Sequence, residues 1–88
     1  MLAFFESISQ SLAQLEKAIV NGNAREIELA AHSIKGSSGN MGVSSIAAIA
    51  HEIEKLGHNQ NLDKVEALFE RIQDLFLQIQ NIYPIKNI

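Results

Sequence analysis

The chain has 88 residues, 47% of them apolar, and carries 7 Lys plus Arg against 10 Asp plus Glu for a net charge of −3. That length suits one small domain burying roughly 60% of its unfolded surface, and no basic stripe is present to serve nucleic acid. The absence of cysteine excludes disulfides and thiolate metal sites and fits a cytoplasmic protein, while no apolar run approaches the ~20 residues of a membrane span and no signal peptide precedes the pattern around Glu6.

Helical periodicity dominates. In the first segment, Leu2 to Val20, the residues Leu2, Phe5, Ile8, Leu12, Leu15 and Ile19 recur at three- and four-residue steps and so form one stripe. Gly22 in "NGN" can close that helix in the left-handed conformation. Asn23 is the expected N-cap of a second helix, with Glu26 placed to reach back to the N–H of the cap. Ile27, Ala30, Ile34 and Met41 make its apolar side, and it is expected to end near Gly42.

Ser44 or Ser45 is expected to cap a third helix, with Ile46, Ile49, Ile53 and Leu56 inward and Gly57 at its end. After the polar connection "GHNQN", Asn61 is the expected cap of a fourth helix. Leu62, Val65, Leu68, Phe69, Ile72, Leu75, Phe76, Ile79 and Ile82 face inward there, and Pro84 stops it. Every connection is short, so neighbouring helices should be antiparallel. The expected architecture is all-α, an up-down-up-down four-helix bundle, with residues 1–88 as a single domain. The first helix begins at the N-terminus itself, as expected for an excised piece or a chain lacking a preceding element.

The stretch "AHSIKGSSGNMG", Ala31 to Gly42, holds three glycines and three serines in a helical pattern. A rotation of about 100° per residue puts Ala30 and Ile34 about 160° from His32, so this histidine points away from the core stripe. Arg25, Glu28, Lys35, Gly36 and Gly39 share its face, and Leu29 lies about 60° away. A glycine inside a helix costs roughly 1 kcal/mol relative to alanine, and these two glycines return nothing in core packing. Close approach of another molecule beside the histidine is a physical reason to accept that cost. The plainer readings are a solvated histidine, a surface lysine, and fraying at Gly39; Gly36, mid-pattern and one turn from His32, fits them least.

An exposed imidazole is a nucleophile and a proton carrier. With a lysine one turn away and a cleared surface, it suits a phosphoryl group moving between His32 and a partner, since such transfer depends on positioning and charge neutralisation. No carboxylate pair, Ser-His arrangement or P-loop accompanies it.

The motif resembles that of a histidine-containing phosphotransfer (HPt) domain of multistep two-component signalling. His32, Ile34, Lys35, Gly36, Ser37, Ser38 and Gly42 match the family pattern in order and spacing, and "IAHEIEKLG", Ile49 to Gly57, resembles the second helix of its central hairpin. The resemblance is strong from Ala30 to Gly57. It implies a four-helix bundle in which His32 takes a phosphoryl group on Nε2. Donor and acceptor would be aspartates of response-regulator receiver domains, a hybrid sensor kinase being a further candidate partner. It implies no ATP site, no metal in this chain, and Mg²⁺ in the receiver. Lys35 would neutralise phosphoryl oxygens and Gly36 would admit the receiver, with Arg25, Glu28 and Gly39 on the partner surface; Leu29 is equally a part of that contact patch or a residue packed against the first helix. Glu54 lies where relatives carry a Gln or Glu that accepts from the other imidazole nitrogen; from its own position it is equally a solvated helix charge. The additional N-terminal helix of many relatives is not in this sequence, which leaves partner specificity open.

Ser37 and Ser38 are expected on the core side, packing closely and bonding back to helix carbonyls. His51 and His58 are expected to be solvated, with His58 a secondary candidate for a phosphate contact. "HEIEK" lacks the second histidine of a zinc-protease motif. Two other functions compete: a non-catalytic helical interaction module, and a small enzyme using His32 as general base, which lacks a second catalytic group.

Overall fold

A computed structural model describes residues 2–82, with side chains from Phe5 to Asn81. Pro84 lies outside the described residues, as do the side chains of Leu2 and Ile82. Four helices follow one another: α1 (Leu2–Asn21), α2 (Ala24–Asn40), α3 (Ser44–His58) and α4 (Val65–Ile82). No strand occurs among the described residues. α2 packs on α1 and α3, and α4 packs on α3 and α1, with the α2–α3 contact the most extensive.

The expected stripes build the core. Ile8 and Leu15 of α1, Ile27 and Ile34 of α2, Ile46 and Ile53 of α3, and Val65 and Ile72 of α4 are fully buried. Burying a side chain of this size is worth about 1.5–3 kcal/mol relative to leaving it exposed. Phe5 and Phe76 close the α1–α4 side edge to face, with ring centroids 5.7 Å apart at 61°. Across α2 and α3 the paired residues run in opposite directions, Glu28 with His58 and His32 with Glu54, so these two helices are antiparallel. Across α1 and α2, Ser7 meets Ser37 at one end, while Lys17 and Glu26 border the same groove at the other.

Three helix ends use one device. Gly22 and Gly42 have φ of 65° and 75°. Gly22 N–H donates to the Ile19 carbonyl and Asn23 N–H to that of Ala18; Gly42 and Val43 repeat the pattern on Gly39 and Ser38. These are Schellman ends, which satisfy carbonyls the last helical turn would leave open. The third differs from expectation. α3 does not stop at Gly57 but runs to His58, and the left-handed residue is Gln60, with φ of 59°. Gln60 N–H donates to Gly57 and Asn61 N–H to Leu56.

The helix starts correct several expectations. Asn23 does cap α2, its side chain accepting from Glu26 N–H at 3.1 Å. The Glu26 carboxylate, however, takes the Asn23 side-chain amide at 2.9 Å, because the Asn23 backbone N–H is already committed to Ala18. Neither Ser44 nor Ser45 caps α3. Val43 holds that position without a side-chain bond, its N–H on Ser38 and its carbonyl on Ala47 N–H, and its side chain packs against the core. Asn61 does not cap a helix at residue 62; its N–H belongs to the end of α3, and α4 starts only at Val65. Met41 is no core residue. It sits at the C-cap of α2, beyond the last regular turn, and is half exposed.

The inner side of α2 is thin, as expected, but by a different bonding scheme. Ala31 and Ser38 are fully buried, and the Ser38 hydroxyl has no hydrogen-bond partner rather than a helix carbonyl. Ser37 approaches Ser7 of α1 at 3.4 Å. On the other side of the hairpin, Gly57 is buried mid-turn in α3 against the backbone of α2. A Cβ there would lie 2.9 Å from Glu28 N and 3.0 Å from the Ala24 carbonyl oxygen. The missing side chain at Gly57 therefore sets how closely α3 approaches α2. Gly57→Ala should lower stability by about 1–3 kcal/mol through overpacking, although alanine gains roughly 1 kcal/mol in helix propensity. A lowered urea midpoint is the expected result; an unchanged or raised midpoint contradicts the close contact.

Candidate functional site

The α2–α3 pairing positions the site. His32 is on the outer side of α2, its side chain 65% exposed, as rotation from the buried Ile34 and Ala30 requires. Glu54 is on α3 one residue past the buried Ile53, so it lies at the seam, with a side chain 18% exposed. The two meet across the seam, His32 Nδ1 to Glu54 Oε2, at 2.7 Å. An ionised carboxylate can only accept, so Nδ1 carries the proton of this bond and the neutral ring keeps its lone pair on Nε2. Glu54 is thus no solvated helix charge.

Lys35, one turn after His32, bonds the other Glu54 oxygen at 2.6 Å. One carboxylate thereby holds two side chains of α2. The Lys35 hydrogen bond, seconded by that of His32 and opposed by partial burial, lowers the Glu54 carboxyl from 4.5 to about 2. The carboxylate stays charged throughout the range in which an imidazole titrates. His51, one turn before Glu54, brings Nδ1 to 3.5 Å from the same Oε1.

Gly36 and Gly39 are both open. A Cβ built at either would meet nothing within 4 Å. Neither glycine is required by packing inside the molecule, as the outward direction of their face demands. Leu29 is 49% exposed and borders a groove of about 360 Å³ with Gln14, Lys17 and Ser33 between α1 and α2. Arg25 and Glu28 are joined to each other at 3.2 Å near the start of α2. Glu28 also reaches His58 of α3 at 3.1 Å, so His58, though exposed, is not simply solvated.

The sequence face therefore divides. His32, Lys35 and Glu54 form one hydrogen-bonded group with Gly36 and Gly39 clear beside it; Arg25 and Glu28 belong to a second group with His58. Sequence reasoning missed the Lys35–Glu54 bond and the His58–Glu28 bond. For the His58–Glu28 bond the one hint was the repeated spacing of a glutamate four residues before a histidine, Glu28/His32 and Glu54/His58; the Lys35–Glu54 bond had no such signal. Among the described residues no cluster of His, Asp or Glu is arranged to hold a metal ion, and no helix is long and apolar enough to cross a membrane.

The depressed Glu54 carboxyl links the site to stability. Its folded value lies below its unfolded one, so its contribution is complete above about pH 4.5 and is lost as pH falls toward about 2. Glu54→Gln should cost about 1–3 kcal/mol at neutral pH, the scale of a charge-assisted hydrogen bond. It should also flatten the fall in urea midpoint across that acid window. Equal acid profiles for variant and parent would contradict the pairing.

The arrangement offers a proton-anchored imidazole with one nitrogen for chemistry, a cation one turn away, and a surface without side chains beside it. In comparisons with known proteins, no curated protein and no solved structure matches the chain, whereas the family model described as "Hpt domain" matches residues 1–82. A match over nearly the whole length, on a four-helix chain with this histidine group, settles membership: the chain belongs to the Hpt domain family, whose members carry phosphoryl groups on histidine in two-component phosphorelays and meet receiver domains and kinases there.

Proposed function

We propose that His32 accepts a phosphoryl group from a receiver-domain aspartate and passes it to another receiver. The observation that carries this reading is the 2.7 Å bond from His32 Nδ1 to Glu54, which leaves Nε2 as the nucleophile on an exposed ring. The Nε2 lone pair attacks phosphorus as the P–O bond to the aspartate breaks and the carboxylate leaves with its electron pair. The ring becomes cationic when the N–P bond forms, and the Nδ1 proton faces a carboxylate that balances that charge. In the return step the receiver aspartate attacks phosphorus and the imidazole departs neutral.

Lys35 serves the phosphoryl oxygens in this scheme. An ammonium has three N–H donors and the bond to Glu54 uses one, so Lys35 is oriented by the same carboxylate and keeps donors for an anion. Gly36 and Gly39 let the receiver approach along the helix, and the exposed Leu29 and Arg25, with Glu28, lie on the contact surface. The reading takes this chain as a carrier, with Mg²⁺ and any kinase chemistry supplied by partner domains, a hybrid sensor kinase among them. A cytoplasmic location goes with those partners.

Incubation with a phosphorylated receiver should give an acid-labile, alkali-stable label that is absent from His32→Gln. Gly36→Leu should fold at least as stably as the parent, since its Cβ meets nothing, yet transfer about tenfold or more slowly because a misplacement of ~1 Å is costly in group transfer. Label retained in His32→Gln sinks the site, and parent-like transfer by Gly36→Leu sinks the close-approach argument. Receiver binding with no label in any variant would instead mark a non-catalytic interaction module.

A further inference from the structure

The α2–α3 hairpin holds its histidine geometry twice. "ELAAH", Glu28 to His32, lies on α2, and "EKLGH", Glu54 to His58, lies on α3. Because the helices are antiparallel, each histidine meets the glutamate of the other segment. His32 Nδ1 bonds Glu54 Oε2 at 2.7 Å, and His58 Nδ1 bonds Glu28 Oε2 at 3.1 Å. In each pair the second carboxylate oxygen holds a cation, Lys35 on Glu54 and Arg25 on Glu28. The seam thus has an approximate two-fold relation, with Gly57 packed against α2 inside it.

The elements that make His32 a nucleophile recur at His58. Its Nδ1 faces a carboxylate, so the neutral ring carries its proton there and its lone pair on Nε2. Its side chain is 72% exposed. Lys55 borders the same groove as a further cation. His51 is the contrasting case in the same groove, 53% exposed but 3.5 Å from its carboxylate, beyond a good hydrogen bond.

From this repetition we propose that His58 is a second phosphoryl-accepting imidazole, open to small phosphoramidate-type donors. The His58 Nε2 lone pair attacks phosphorus, the N–P bond forms as the donor P–N bond breaks, and ammonia leaves. Ammonia then takes a proton from solvent, giving ammonium, and the Nε2-phosphohistidine keeps its Nδ1 proton facing Glu28. The step needs no receiver, so it stands apart from the receiver-transfer function of His32.

The test is a labelling time course of the intact protein with phosphoramidate, read by mass spectrometry under alkaline conditions. Cleavage after Lys and Arg puts the three histidines on separate peptides, residues 26–35, 36–55 and 56–64. His58 should label about tenfold faster than His51, the scale on which a carboxylate partner tunes an imidazole, and Glu28→Ala should remove that advantage. The proposal is overturned if His58 labels no faster than His51, or if its advantage survives Glu28→Ala; the pair is then a clamp between helices. Label on the 26–35 peptide is scored separately, so failure at His58 leaves the reading of His32 untouched.

Discussion

A single carboxylate organises the surface of this protein. Glu54 accepts from His32 on one oxygen and from Lys35 on the other, and so fixes two side chains of α2 from a position on α3. His32 is exposed and Lys35 half-buried, and both would otherwise sample several rotamers. Ordering such side chains costs up to about 2 kcal/mol each, which charge-assisted bonds at 2.6 and 2.7 Å can offset. The Lys35 hydrogen bond lowers the Glu54 carboxyl to about 2, so the anchor stays charged well into the acid range. The imidazole is therefore presented in one tautomer rather than in a mixture.

That bond exists only if the two helices approach closely and in register. The close approach rests on small residues at the seams: Gly57 against the backbone of α2, and Ala31 and Ser38 buried on the inner side of α2. The register follows from tight connections, where the end of one helix shares its hydrogen bonds with the start of the next. Val43 shows this most directly, giving its N–H to α2 and its carbonyl to α3. Inserting one residue into α3 before Glu54 would carry that side chain about 100° round its helix, away from His32.

Much of this was legible in the sequence. Periodicity placed the core, with Ile27, Ile34, Ile46 and Ile53 buried as their spacing requires. The same rotation put His32 outward and Gly36 and Gly39 beside it. The errors fell where local chemistry has two uses. Serine before an apolar run signals a cap, yet Val43 took that role because its backbone was already paired. Glycine near a helix end signals termination, yet Gly57 serves packing while Gln60 makes the left-handed turn. Met41 has apolar spacing but falls past the last regular turn. Cross-helix bonds such as Lys35–Glu54 depend on which helices are neighbours, which periodicity within one helix does not contain. The family match extends the resemblance to residues 1–82.

The central claim is that Glu54 fixes the His32 ring with its proton on Nδ1 and its lone pair on Nε2. Nitrogen-15 NMR of the imidazole, taken where the ring is neutral, reads that state directly. The account predicts the Nδ1–H tautomer for His32, reverting toward the Nε2–H form usual for free imidazoles in Glu54→Ala. A dominant Nε2–H tautomer in the parent protein, or a tautomer indifferent to Glu54, would contradict it.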